Sequence, residues 1–253
     1  MAIKKQELIL DTCLLAGKIM MENGSEVQRV EDTMQRIAQN AGERDAVSYV
    51  TATGVFMSLK SSHIAQVEDA HERTMNLEKI VAVNHFSRLF AQKELTLEEL
   101  YDELQKVVSE TPSFSLPLQI LSAGIISCTL MYLFGGTMAD FLATFLIGAF
   151  GYVTSVFIKK WSQVRFFDMF SAAIVIGTCA IFAVHFSLAA SVDNIIIGAV
   201  MPLVPGVAIT NAFRDILAGD LISGNARATE AIFTATAIGV GIVTTFTLFG
   251  GYF

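Results

Sequence analysis

The segment IIIGAVMPLVPGVAITNAFRDILAGDLISGNARATE, residues 195–230, decides how the chain is read. It begins as an apolar run of membrane length and is broken by Met201-Pro202-Leu203-Val204-Pro205-Gly206. It then turns polar at Asn211, Arg214, Asp215, Asp220, Arg227 and Glu230. Proline lacks a backbone donor and clashes with the preceding turn, so Pro202, Pro205 and Gly206 predict an interrupted helix. In hydrocarbon, freed carbonyls are tolerated only where protein or a wet cavity covers them. Broken spans often form substrate sites in transporters, so transport is the first expectation. A plain proline kink in a membrane helix is the alternative.

Working outward, the chain of 253 residues is 53% hydrophobic, and its mean hydropathy of +0.55 averages two unlike halves. Residues 1–117 hold twelve Lys and Arg against eighteen Asp and Glu, whereas 118–253 hold only five and six. The first half reads as an acidic soluble domain and the second as a membrane domain. Nearly all of the net charge of −7 lies on the first half, a surface that excludes nucleic acid and anionic lipid as partners. Cys13, Cys128 and Cys179 are far apart and lack metal or redox spacing, so they read as small core residues. Asp11 and Lys18 interrupt the first apolar run, which argues against a cleavable signal.

The expected fold is mainly α, with a small cytoplasmic α+β head over 1–110, a linker over 111–117 and a five-helix transmembrane domain over 118–253. In the head, 5–22 has helical spacing and stops at Asn23-Gly24. Ser25 and Gln28 resemble a capping box opening a second helix to about Ala41, with Val27, Val30, Met34 and Ile37 inward. Residues 47–51 and 55–59 predict two strands around Thr53-Gly54, and 64–67 a weaker third. Residues 76–92 predict a helix, and Thr96-Leu97-Glu98-Glu99 caps another reaching about Ser109. The spans fall at about 118–134, 138–158, 166–189, 195–213 and 231–249, each near the length that crosses a ~30 Å hydrocarbon core. The polar stretch 214–230 is expected as a loop. Positive charges occupy the head, the second connection (Lys159, Lys160, Arg165) and the fourth (Arg214, Arg227). The head is therefore expected in the cytoplasm and the C-terminus outside.

Several side chains could carry chemistry. Asp168, Ser171, Thr178 and His185 share one face of the third span, where ionisable groups often mark a pathway. Asp168 and His185 are proton-coupling candidates, or simply groups at the span's two interfaces, and Asp215 and Asp220 are candidates for the same role. Glu230, Thr234, Ala237, Gly241, Thr244 and Thr245 form a polar and small stripe suited to helix packing. Glu230 has Arg227 as a candidate interfacial partner. Arg214 suits a carboxylate in a bidentate fork with Asp215 beside it, or the two form an interfacial ion pair. Glu26, Arg29, Glu31, Asp32 and Arg36 on one helix read as a solvated charged face. His63, His71 and His85 lack metal-ligand spacing, and neither a phosphate-cradling loop nor a nucleophile elbow is present. No metal, other cofactor or catalytic residue is expected.

Gly24-Ser25-Glu26-Val27-Gln28-Arg29-Val30-Glu31-Asp32-Thr33-Met34 and Thr51-Ala52-Thr53-Gly54-Val55-Phe56-Met57-Ser58-Leu59 resemble the head domain of the threonine/serine exporter family. Thr96-Leu97-Glu98-Glu99, Pro205-Gly206 and the run from Asn211 to Arg227 extend the resemblance over nearly the whole chain. Family members are one long polypeptide or a split pair. This chain is similar to the larger, head-bearing subunit of the pair. The resemblance implies proton-driven export of small hydrophilic metabolites across the inner membrane, with threonine and serine the named substrates and succinate for some pairs. It also implies a small membrane partner, or a homo-oligomer. The residues carried over are Glu26, Arg29, Asp32, Thr53, Gly54, Pro205, Gly206, Arg214, Asp215, Asp220 and Arg227. The rival readings are a membrane-anchored enzyme with a hydrolase-like head, and a scaffold or sensor.

Overall fold

The computed structural model describes residues 2–70, 75–110, 114–162 and 164–249. Among these residues the molecule is mainly helical with one small sheet. It divides into two units, Met1–Ser113 with Val207–Thr229, and Phe114–Gly206 with Glu230–Phe253.

The first unit is built on α1 (Ala2–Glu22), whose Ile9, Leu10, Leu14 and Met20 are fully buried. It stops where the sequence predicts. Gly24 takes φ +94°, and the amides of Gly24 and Ser25 return to the carbonyls of Met21 and Met20. This is a Schellman turn, and glycine adopts its left-handed residue without a Cβ penalty. The next helix, α2 (Val27–Asn40), buries Val27, Val30, Met34 and Ile37 as its period requires. The strands β1 (Ala46–Thr51), β2 (Gly54–Leu59) and β3 (Ile64–Asp69) form an antiparallel meander in that order. Thr51 pairs with Gly54, Ala46 with Leu59, and Gly54 with Asp69. Val55, Met57 and Leu59 face the core. The third strand is as long as the others, although its sequence signal is weak. Asn76 caps α3 (Leu77–Ala91) by accepting from the amides of Glu78 and Lys79. Thr96 and Glu99 close a reciprocal capping box at α4 (Leu97–Glu110), with bonds of 2.8 and 3.2 Å. Cys13 donates to the Met34 carbonyl at 3.5 Å, and burial pushes its thiol up, as befits a core residue.

Two expectations need correction here. The Ser25–Gln28 capping box does not form. Glu26 is the residue at the cap position and makes no side-chain cap bond, while the Val27 amide donates to the Asp215 carboxylate at 3.1 Å. Nor is 214–230 a loop. The helix α9 (Gly206–Ala218) continues through Arg214 and Asp215, and α10 (Leu221–Phe249) begins two residues after it ends. Gly219, at φ +97°, makes the reversal through a second Schellman turn, with Asp220 donating to the Asp215 carbonyl at 2.8 Å. The polar composition had suggested a loop, but Asp215 and Arg227 are buried partners of one another on two helices. Of the expected linker, 111–113 lie outside the described residues, as does His71. Leu116 already opens the next helix.

Glu31 joins α2 to the sheet by accepting the Val50 amide at 3.0 Å. Burial raises its carboxyl above the ordinary value, the Val50 amide opposes this, and Asp220 and Asp32 raise it further. The folded protein therefore binds this proton more tightly than the unfolded chain. Its stabilising effect is complete at low pH and is lost as pH rises through the raised value. Glu31→Gln keeps an acceptor for Val50 and removes the charge. It is expected to unfold at a higher temperature than the natural chain at neutral pH in detergent, with the gap closing below about pH 4. A gap independent of pH would exclude this origin.

The second unit contains α5 (Leu116–Leu133), a 3-10 turn (Met138–Asp140) leading into α6 (Phe141–Trp161), α7 (Phe167–His185), α8 (Val192–Val200) and a second 3-10 turn (Met201–Leu203). Among the described residues, four helices are long and apolar enough to cross a membrane. The pair Val192–Leu203 and Gly206–Ala218 makes a fifth if taken as one broken span. The break predicted from the two prolines is present: Val204, just before Pro205, is extended at φ −66° and ψ 128°. Ala172, Ala173, Ile176, Ala180, Ile195 and Ala199 form the centre of this unit. Leu133, Leu142, Phe157 and Phe186 point outward, the arrangement of helices whose solvent is lipid.

The connections meet in two sets. Asp140, fully buried, accepts from the amides of Ala190 and Ser191 at 2.6 and 3.1 Å, joining the first connection to the third. Arg165 in the second connection meets Glu230 at 3.5 Å. Glu230 thus pairs with Arg165, while Arg227, its partner expected from sequence, is engaged elsewhere. Thr234, Thr244 and Thr245 each donate to the carbonyl four residues back, and Thr245 also reaches Ile174. Thr245 and Gly241 thus pack against α7, as expected of that stripe, whereas the bond of Thr244 stays within its own helix.

Candidate functional site at the start of helix α2

The first unit brings five sequence-predicted residues together: Glu26, Asn211, Arg214, Asp215 and Arg227. The Schellman turn at Gly24 leaves the carbonyls of Gly24 and Ser25, and the first amide of α2, facing α9 and α10. Asn211 donates to the Gly24 carbonyl at 2.8 Å, and Arg227 donates to that of Ser25 at 2.8 Å. Asp215 takes the Val27 amide with one oxygen, and its other oxygen lies 3.4 Å from Arg227 Nε. That ion pair is almost without water, since Asp215 is 1% exposed and Arg227 8%. The carboxylate sits at the N-terminus of α2, where the exposed amides and helix dipole favour negative charge.

Arg214 turns the other way. It pairs with Glu26, which also lies 3.6 Å from Arg29. The reading of Arg214 and Asp215 as one ion pair is thereby replaced by two separate pairs, one wet and one buried. The Arg214 side chain is 56% exposed and that of Glu26 23%. Both line a cleft of about 300 Å³ with Gln28, Asp215, Leu217 and Ala218. Asp220 lies near enough to Glu31 to influence its proton. Arg29 and Asp32 belong to a different cleft along α2. Thr53 lies in the β1–β2 turn and Gly54 opens β2, and the Thr53 carbonyl accepts from the Ala70 amide at 3.0 Å.

The remaining predicted residues lie in the second unit. Asp168 occupies the first turn of α7 and His185 is its last residue, so they sit at opposite ends of one helix. Pro202 borders a cleft of about 410 Å³ lined mostly by Phe114, Leu118, Gln119, Ser122 and Tyr152. Tyr152 donates to Gln119 at 2.7 Å, and Gln119 donates to the Phe114 carbonyl at 2.6 Å. Gln119, Ser122 and Tyr152 were not among the candidates from sequence. The one available signal was polar side chains inside otherwise apolar spans. Pro205 and Gly206 form the break and the first turn of α9. Among the described residues, no group of three His, Cys, Asp or Glu gathers to hold a metal.

A broken membrane segment whose charged end clasps a small α+β domain is a specific combination. Residues 11–249 match the family model described as "Putative threonine/serine exporter". The chain belongs to this threonine/serine exporter family. It is also similar to the Escherichia coli (strain K12) protein named "Probable succinate transporter subunit YjjP". The two are 22% identical over 261 residues, covering 99% of this chain and 98% of that protein. No solved structure matches the chain. Family and apolar helices together make it a multi-pass membrane protein of a transporter family.

Proposed function

We propose that this chain is the head-bearing subunit of a secondary exporter that carries a small hydrophilic metabolite of the threonine/serine type out of the cell. It works with a small membrane subunit of the same family, in the inner membrane, and proton exchange drives it. The head and the end of α9 face the cytoplasm, and the C-terminus faces outward. The distribution of positive charge supports this orientation, as do the bonds from the start of α2 to Asn211, Asp215 and Arg227.

The observation that carries the substrate reading is the Glu26–Arg214 pair beside its cleft. An α-amino acid has one carboxylate and one ammonium. The carboxylate takes the fork of Arg214 and the ammonium takes Glu26, so substrate replaces the pair without leaving either charge bare. Movement of Arg214 shifts α9 and loosens Asp215 from Arg227. Asp215 is then the proton-exchanging acid, with Asp220, Asp168 and His185 as the other candidates. Pro202, Pro205 and Gly206 supply the flexible break, and Glu230 anchors the end of the pathway through Arg165.

A second reading, dicarboxylate export, is favoured by the printed name of the E. coli relative. The two readings differ in what Glu26 does: it binds an ammonium in the first and repels a second carboxylate in the other. Efflux of preloaded threonine, serine and succinate is measured from cells producing the chain alone and with its small partner. Arg214→Lys is expected to lower threonine efflux about tenfold at unchanged abundance, the loss of one charged bidentate contact at ~1.5 kcal/mol. Glu26→Gln lowers threonine efflux if the substrate is an amino acid and raises succinate efflux if it is a dicarboxylate. Unimpaired efflux by Arg214→Lys removes the residue from the site, and efflux from the chain alone makes the working unit a homo-oligomer.

A further inference from the structure

A second cleft of the first unit adjoins this one and shares Glu26 and Gln28 with it. It runs between α2 and α3, encloses about 670 Å³, and is lined by Arg29, Asp32 and Arg36 on one helix and Asn84, His85 and Arg88 on the other. Arg29, Asp32 and Arg36 follow a 3, 4 and 7 spacing, as do Asn84, His85 and Arg88 counted from Val81, so each helix presents one stripe to the cleft. Read from sequence, the α2 stripe was a solvated charged face. Two features argue otherwise. Arg36 is partly buried and reaches the buried Ser87 hydroxyl at 3.4 Å, which holds one guanidinium against the cleft wall. Arg88 belongs to the other helix, so the cations face one another across a concave surface.

We propose that this cleft binds a small organic or inorganic dianion, bearing carboxylate or phosphate groups, at a site that adjoins the Glu26–Arg214 cleft and does not use Arg214. Three guanidinium groups supply planar forks that match such oxygens, and Asn84 and His85 add further donors. The volume is that of a metabolite site. Glu26 and Asp32, the two acidic residues of the lining, reject a ligand of higher negative charge and leave room for one or two anionic groups.

Occupancy has a route to the other cleft. Arg29 is shared, since it also lies 3.6 Å from Glu26, the partner of Arg214. A dianion that draws Arg29 into the α2–α3 cleft leaves Glu26 to Arg214 alone. The wet ion pair tightens, and a substrate that must displace it binds less well. The site is therefore inhibitory: a cytoplasmic anion slows export. This last step rests on the proposed role of Arg214, whereas the binding itself does not.

The test is a titration of the full chain in detergent with disodium succinate and, separately, inorganic phosphate, against sodium chloride at matched ionic strength. Equilibrium dialysis and thermal unfolding are the readouts. Saturable binding of one equivalent is expected, with affinity reduced at least tenfold in Arg29→Gln/Arg88→Gln, two exposed positions whose exchange leaves the core intact. Arg214→Gln is expected to lower the affinity by no more than about threefold, since it removes the partner to which Glu26 turns when the anion draws Arg29 away. Succinate binding alone marks a carboxylate site, and phosphate binding alone marks a phosphoryl site. Binding no stronger than chloride overturns the proposal. So does binding that survives the double substitution or is lost with Arg214→Gln, and the latter assigns the anion to the export site instead.

Discussion

Asp215→Leu is expected to lower the stability of the folded chain by about 3–5 kcal/mol, the cost of leaving a buried charge without its partner. Arg227 is then held among Met21, the Ser25 carbonyl and α9 with no carboxylate beside it. The Val27 amide also loses its acceptor, which costs ~1 kcal/mol in a helix cap. Glu26 cannot replace it, because its side chain is committed to Arg214 and Arg29. For a chain of this size the change lowers the unfolding midpoint by on the order of 10 °C. Arg227→Met is expected to be nearly as damaging, since it strands the carboxylate. The decisive measurement is the double variant Asp215→Leu/Arg227→Met in detergent. If the pair is the source of the loss, the double is more stable than either single. Additive losses would mean that the two residues act independently, and the clasp would lose its central interaction.

The clasp also shows where sequence reading stops. Local patterns are legible because their physics is local. The inward stripe of α2, the Thr96–Glu99 box, the stop at Gly24 and the break at Pro205 all depend on residues within a few positions of one another. Asp215 and Val27 stand 188 positions apart, and nothing in the pattern around either announces the other. The capping box read at Ser25 and Gln28 has the right spacing, but a carboxylate from α9 occupies the place that Ser25 would serve. Asp140 was passed over for the same reason. Alone in an apolar region, it looks like an interfacial charge, yet it is buried and caps the amides of Ala190 and Ser191. Arg214, Asp215 and Arg227 stood out in sequence as charges beside a broken span, and the structure gathers them at the start of α2. Their pairing was not legible, because which of two neighbouring charges turns inward is decided by helix phase and by the partner surface.

Gly198→Leu is expected to abolish accumulation of folded protein in the membrane, and even Gly198→Ala to cost about 1–3 kcal/mol, the usual range for overpacking. A Cβ at this position would stand 2.4 Å from Met131 Cβ, 2.6 Å from the Ser127 carbonyl oxygen and 2.8 Å from Thr144 Cγ2. These neighbours cannot all yield. One is backbone, and Ser127 and Thr144 are held by hydroxyl bonds to the carbonyls of Ala123 and Asp140 at 2.8 and 2.7 Å. Relief requires α8 to withdraw from α5 and α6 together, which removes the close approach that drives association where lipid replaces water. Gly239 is the matched control. It also lies within a membrane-length helix, but a Cβ there meets nothing within 4 Å, so Gly239→Ala is expected to be neutral or stabilising by up to ~1 kcal/mol. Abundance and detergent unfolding of the two alanine variants, measured side by side, separate packing from helix propensity. Equal behaviour would show that α8 is not seated against α5 and α6. A loss confined to Gly198 would fix α8 as the rigid part of the broken segment and leave the movement to Val204 and Pro205.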